Sequence, residues 1–238
     1  MRFPKKPLKA LNVYDLIIFD CDGVLINSEM IAARVQAAAY KREGFEMEPL
    51  GYAEHFAGFT HHAIREAIEE ELERKLDEDF TIKLEEAFLE LADSEMTAVD
   101  GTEAMLDQIE LPRCICSNSD SRYLRTYLSD VGLYERFEPH IFSASEVGTK
   151  APKPDPNVFQ FAAQQFAIEP SKCLVVEDSA TGVSAAVAAG MTVIGFVGAD
   201  HSWPGHAEAL SEAGAITTIN RHADLAETVA ALSSWQAP

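Results

Sequence analysis

Asp20 and Asp22 leave the end of an apolar run, Leu16-Ile17-Ile18-Phe19, and Gly23 turns the chain directly after them. A carboxylate at the end of a buried strand can serve as a nucleophile or as a ligand for a hard cation, and a second acid two residues on can move protons. Taken alone, the same four residues also describe an acidic turn closed by glycine, so the reading depends on partners elsewhere. Three segments offer them. Arg113-Cys114-Ile115-Cys116 runs into Ser117-Asn118, and Cys173-Leu174-Val175-Val176 runs into Glu177-Asp178-Ser179. Lys153, in Lys153-Pro154-Asp155-Pro156, adds a cation from a proline-stiffened loop between those two. Acid oxygens suit Mg2+, which keeps waters and is completed by substrate phosphate oxygens. The chemistry these residue types support together is phosphoryl transfer. One carboxylate attacks phosphorus, the second acid protonates the leaving alkoxide and then deprotonates water, and lysine and serine bind the phosphoryl oxygens as charge spreads over them.

The elements that must position these groups are short β-branched runs alternating with helical spacing. The four runs, from Leu16, Arg113, Cys173 and Thr192 (Thr192-Val193-Ile194-Gly195-Phe196-Val197), read as buried parallel strands. Leu124, Tyr127, Leu128 and Val131 keep helical spacing, as do Phe159, Ala162, Ala163 and Phe166, and Val183, Ala186 and Val187 before a closing Gly190. The fold class is therefore α/β, a doubly wound parallel sheet, whose ligand crevice lies beyond the carboxyl ends of the strands. The interval between the first two strands is too long for one crossover. Ile64, Ile68, Leu72 and Leu76 predict a helix over 64–76, followed by Leu84, Phe88 and Leu91. The stretch 65–90 carries eleven acids against four bases, the pattern of a solvated helix face. The expected organisation is an α/β core of residues 1–28 and 99–238 with an all-helical insertion, 29–98, joined by linkers near 27–29 and 99–101. His61 and His62 open a cap helix with Thr60 as its N-cap; they either face a substrate's leaving group or stand in solvent, and His61 is the substrate-binding candidate. Arg122 and Arg125 read as surface groups. The segment 198–205, with His201, Trp203 and Pro204, is unusual in composition and receives no role.

The chain has 238 residues, 47% hydrophobic and 24% charged, enough for a sizeable core and a second small domain. Its net charge of -20 repels nucleic-acid phosphates and anionic membrane surfaces, which argues against both as partners. No apolar run approaches the length of a membrane span, and the basic N-terminus (Arg2, Lys5, Lys6, Lys9) does not lead into a secretory signal. Cys21, Cys114, Cys116 and Cys173 lie mostly in apolar runs, as reduced core thiols do, so a cytoplasmic location is expected.

The ordered set Asp20-x-Asp22-Gly23-Val24, Ser117-Asn118, Lys153-Pro154-x-Pro156-Asn157-x-Phe159 and Glu177-Asp178-Ser179 resembles the four motifs of the haloacid dehalogenase superfamily, over almost the whole chain. It is most similar to the branch with a helical cap after the first motif, which includes β-phosphoglucomutase and sugar-phosphate phosphatases. The resemblance implies a Rossmann-like core with Asp20 as nucleophile and Mg2+ ligand. Asp22 would be acid/base, its backbone carbonyl also on the ion; Ser117 would bind the phosphoryl group with Asn118 adjacent; Lys153 would steady nucleophile and phosphate. Asp178, and Glu177 directly or through water, would complete the Mg2+ site. Asn157 stands where the family often has Asp and is given no catalytic role. Asp22 argues against the dehalogenase and phosphonate-cleaving branches. Ala32 and Gln36 occupy the places of the mutases' histidine and tryptophan, and His61 that of an arginine, so the expected activity is Mg2+-dependent hydrolysis of a small phosphorylated metabolite, a sugar or sugar-acid phosphate. The alternatives are a phosphosugar mutase and a non-catalytic binding protein, the latter predicting losses among polar motif residues that this chain has kept.

Overall fold

The computed structural model describes residues 13–57, 59 and 61–235. The basic residues Arg2, Lys5, Lys6 and Lys9, and the predicted N-cap Thr60, lie outside the described residues. Six strands, β1 (Leu16–Phe19), β2 (Arg113–Ser117), β3 (Ile141–Ser143), β4 (Cys173–Glu177), β5 (Thr192–Phe196) and β6 (Thr217–Ile219), form one parallel sheet in the order β3-β2-β1-β4-β5-β6. Strand alternation sends Ile17, Phe19, Ile115, Leu174 and Val176 into one apolar cluster. Leu16, Ile18, Cys114, Cys173 and Val175 enter another on the opposite face. Every β1 side chain is buried, and each contributes about 1.5–3 kcal/mol of hydrophobic stabilisation. The runs are apolar at consecutive positions because both sheet faces are covered. β3 and β6 are three-residue edge strands that the sequence reading did not contain.

Between β1 and β2 the chain forms α1 (Ser28–Arg42), α2 (Pro49–His55), α3 (His61–Glu71), α4 (Phe80–Glu95) and α5 (Thr102–Gln108). Helices α6 (Ser121–Asp130), α7 (Asn157–Phe166), α8 (Ala180–Ala188), α9 (His206–Glu212) and α10 (Leu225–Trp235) follow. Met105 and Leu106 of α5, Leu124 and Leu128 of α6 and Leu225 of α10 pack on the first face, and residues of α7, α8 and α9 on the second, so the sheet is doubly wound. Helices α1–α4 gather around a separate cluster that includes Tyr40, Tyr52, Ile64, Ile68 and Phe80. Two chain crossings join this helical layer to the sheet: Asn27 N donates to Thr97 O and Val99 N to Leu25 O, both at 2.9 Å.

The helix expected over 64–76 stops at Glu71, a correction with a clear cause. The chain turns at Glu73, whose φ is 53°, and Leu76 reaches the apolar cluster from a loop. Buried Glu69 holds that loop, accepting from Leu76 N (3.1 Å), Arg65 Nε (2.8 Å) and Lys75 Nζ (2.7 Å). These bonds, Lys75 first, push its carboxyl down to about 2. The acidic stretch is thus not solvated throughout. All four cysteines are buried and unbridged, and among the described residues no helix is long and apolar enough to cross a membrane.

Candidate active site

Strand register delivers the acids to one place. Phe19 pairs with Val176, and Asp20 N donates to Val176 O at 3.0 Å, so Asp20 and Glu177 leave the sheet side by side. The strand order reverses between β1 and β4, which opens a crevice at their carboxyl ends. Lys153 Nζ bridges the two acids, donating to Asp20 Oδ1 (2.7 Å) and Glu177 Oε1 (2.6 Å). Carboxylate oxygens of Asp20, Glu177 and Asp178, all buried, lie within 4.8 Å of one another. Burial, then the charge of Glu177, drives Asp20 and Asp178 well above the usual carboxylate range, with Lys153 opposing. Burial alone would lower the Lys153 ammonium, but Asp20 and Glu177 raise it above its ordinary value.

Three converging buried carboxylates against one lysine form an oxygen-only donor set suited to a hard divalent cation. Two glycines make room for it. A Cβ on Gly23, at φ 69°, would lie 1.9 Å from Asp178 Oδ2, and one on Gly182 would lie 1.8 Å from Glu177 Oε1. The residues present therefore fit a resident metal ion.

Asp22 is held differently. Its Oδ1 accepts from Ser28 Oγ (2.7 Å) and Tyr123 Oη (2.9 Å), and its Oδ2 from Ser119 Oγ (2.7 Å) and, at longer range, Ser117 Oγ (3.4 Å). Burial and then Asp22 itself push the Tyr123 phenol upward, keeping it a donor. Ser28 is the first residue of α1, so the helical layer reaches directly to this carboxylate.

The Lys153 loop is anchored from both sides. Asn118 Oδ1 accepts from Lys153 N at 2.8 Å. Buried Asn157 Oδ1 accepts from Thr149 N (2.7 Å), while its Nδ2 donates to the carbonyls of Ala144, Val147 and Ala151. Asn157 thus has a scaffolding position with no free polar atom for a substrate. Asn157→Ala is expected to cost about 2–3 kcal/mol of stability, because the backbone groups of Thr149, Ala144, Val147 and Ala151 each lose a hydrogen bond. Urea unfolding measures this, and an unchanged midpoint would mean the loop is held by other contacts.

A cleft of about 880 Å3 brings together Asp20, Asp22, Ser117, Asn118, Lys153 and Asp178 on the sheet side, with His61 on the helical side. Glu177 lies beneath, fully buried. His61 itself is exposed; His62 is outside the lining, with Nδ1 3.1 Å from Glu66. Arg122 is exposed and Arg125 lies over the Tyr134 ring at 5.0 Å, neither lining the cleft.

Several lining groups escaped the sequence reading. His201 Nε2 lies 3.0 Å from Asp178 Oδ2, and His206 Nε2 donates to the Asp178 carbonyl at 2.6 Å. Ser202 Oγ is 3.0 Å from His206 Nδ1, and Trp203 stacks on the His206 ring at 3.9 Å. Burial lowers both histidines below their ordinary value and favours neutral rings. The odd composition of 198–205 was the one visible signal, since nothing in spacing ties that loop to Asp178. Ser28, Ser119 and Tyr123 gave no signal, being common helix and turn residues.

A sequence profile described as haloacid dehalogenase-like hydrolase matches residues 14–190. The chain is 28% identical over 193 residues to the 6-phosphogluconate phosphatase of Escherichia coli (strain K12), covering 80% of this chain and 86% of that protein. A conserved haloacid dehalogenase-like protein of unknown function from Agrobacterium tumefaciens superposes with a TM-score of 0.89 at 42% identity, covering 92% of this chain and 99% of that one. A HAD family hydrolase from Deinococcus radiodurans R1 with bound phosphate and sodium gives a TM-score of 0.80 at 34% identity, covering 93% and 98%.

Proposed function

The chain belongs to the haloacid dehalogenase-like hydrolases and is an enzyme of the phosphoric monoester hydrolase type, and we propose that it is a Mg2+-dependent phosphatase of a small sugar or sugar-acid phosphate working through an aspartyl phosphate. The observation that favours this reading most is the buried bridge from Lys153 to Asp20 and Glu177, a few ångströms from Asp178 and with Asp22 on the same side of the cleft. Asp20 is the nucleophile: its free oxygen forms a bond to phosphorus while the bond to the leaving alkoxide breaks, and Asp22 gives that oxygen a proton. Asp22 then takes a proton from water as the water oxygen attacks phosphorus, releasing inorganic phosphate and the Asp20 carboxylate. Ser117 Oγ, the amide of Asn118 and Lys153 Nζ bind the phosphoryl oxygens. Asp20, Asp178 and Glu177 would hold Mg2+, which supplies positive charge against the phosphoryl oxygens when bound.

In this reading residues 1–28 and 99–238 are the catalytic core, and 29–98 is a cap whose paired crossings let it close over the ester. His61, on the cap side of the cleft, would contact the leaving group. The natural partner is a small phosphorylated metabolite, and the four unbridged thiols favour the cytoplasm.

Phosphate release from a panel of sugar, sugar-acid and polyol monophosphates tests the proposal. Turnover is expected with Mg2+, is expected to fall to background in excess EDTA, and should return with Mg2+ or Mn2+. Full activity in EDTA would remove the metal from the reading. An isomerised ester without free phosphate would make the chain a mutase, and no turnover of any ester would leave a binding protein.

A further inference from the structure

We propose, resting on the phosphatase reading above, that this site takes phosphate esters of uncharged alcohols and discriminates against esters whose leaving group carries a carboxylate. The inference comes from the half of the cleft that lies above the phosphate-handling groups.

Gln36 of α1 lines that half and is only 9% exposed. Its Oε1 accepts from Tyr52 Oη at 3.1 Å, which fixes the orientation of the amide. The Nε2 group is then the part left for a ligand, and no partner for it is found among the described residues. An immobilised amide donor recognises an oxygen acceptor, such as a hydroxyl oxygen, without requiring charge. Around it Phe56, Phe59, Leu84 and Phe88 form an apolar wall, suited to the C–H face of a polyol or ring.

The charges lining the same space point one way. Glu85 of α4 lines the cleft. Among the described lining residues Lys153 is the only lysine or arginine, and it is already shared between Asp20 and Glu177. Arg65 of α3 is engaged by Glu69 and by the Leu76 and Asp77 carbonyls, outside the lining. His206 uses both ring nitrogens, and His201 faces Asp178. His61 is the remaining basic group, and it is exposed. A carboxylate on the leaving group would enter beside Glu85 with no fixed cation to offset its desolvation, which rejects it by repulsion as well as by lost hydration. The chain's net charge of -20 works in the same direction during encounter.

A matched pair of esters isolates this effect. Glucitol 6-phosphate and 6-phosphogluconate share carbon skeleton and phosphate position and differ by a hydroxymethyl group against a carboxylate at the far end. With Mg2+ and phenyl phosphate as a reference substrate, kcat/KM is expected to be about tenfold or more higher for the glucitol ester. Glu85→Gln should narrow that ratio by raising kcat/KM for the gluconate ester. An equal or reversed preference, in turnover or in inhibition of phenyl phosphate hydrolysis, overturns the proposed selectivity while leaving the phosphatase reading in place. Absence of turnover of all three esters by the folded protein with Mg2+ overturns both, so the two failures are distinguishable.

Discussion

Asp20→Asn is expected to yield a folded protein whose turnover is lower by roughly 10^4-fold or more, because the amide keeps the carboxylate's shape but cannot form the bond to phosphorus. Its fold should survive for an electrostatic reason. Burial and Glu177 hold the Asp20 carboxyl well above its ordinary value, so in metal-free protein the ionised side chain disfavours folding at neutral pH, and a neutral amide relieves that strain. The melting temperature of the metal-free variant should therefore be no lower than that of the parent. Phosphate release and thermal unfolding on the same preparation check both halves. Parent-like rates from a folded Asp20→Asn protein would remove the covalent mechanism altogether.

Lys153→Met should lower kcat by about 10^2–10^3-fold with a smaller change in KM. The methionine keeps most of the aliphatic stem over Phe159, where the ammonium now lies 5.2 Å from the ring centroid, and deletes only the charge. What is lost acts on the ionised nucleophile and on the transferring phosphoryl oxygens together, so the effect belongs to the chemical step. Removing one partner of a buried ion pair typically costs about 3–5 kcal/mol, and here two carboxylates are left without their cation. Protonation of Asp20 in the metal-free variant would recover part of that cost. Unchanged kcat with a raised KM would instead assign Lys153 to substrate capture.

The core site was legible because its groups follow apolar runs that have no other place than the sheet interior. Asp20, Ser117 and Glu177 each come at or directly after the end of a strand, and parallel pairing brings strand ends together without further information. Lys153 was legible from its proline neighbours, and the later observation that Asn118 and Asn157 tether that loop explains why it can hold a buried cation in place. The groups around Asp22 were not legible in the same way. Ser28, Ser119 and Tyr123 come from a helix start, a turn and a helix interior, and only tertiary packing directs their hydroxyls to one carboxylate. The edge strands Ile141–Ser143 and Thr217–Ile219 are too short for alternation to register. The helix over 64–76 failed because a period of four residues cannot distinguish a helical turn from a loop folded back by a buried Glu69.

The central position of β1 sets a timetable for biosynthesis. Its two neighbours are β2 and β4, and the second of these ends at Glu177. On a ribosome adding about 5–20 residues per second, Glu177 follows Asp20 by roughly 8–30 s. For that interval the nascent chain holds an apolar strand with at least one edge unpaired, the kind of segment that other chains can add to. No fragment ending before Glu177 can contain the acid cluster, and such fragments keep β1 without its second neighbour. Stalled or truncated translation products of this chain should therefore be both inactive and prone to aggregate, and chaperone demand should be concentrated in the period before β4 emerges.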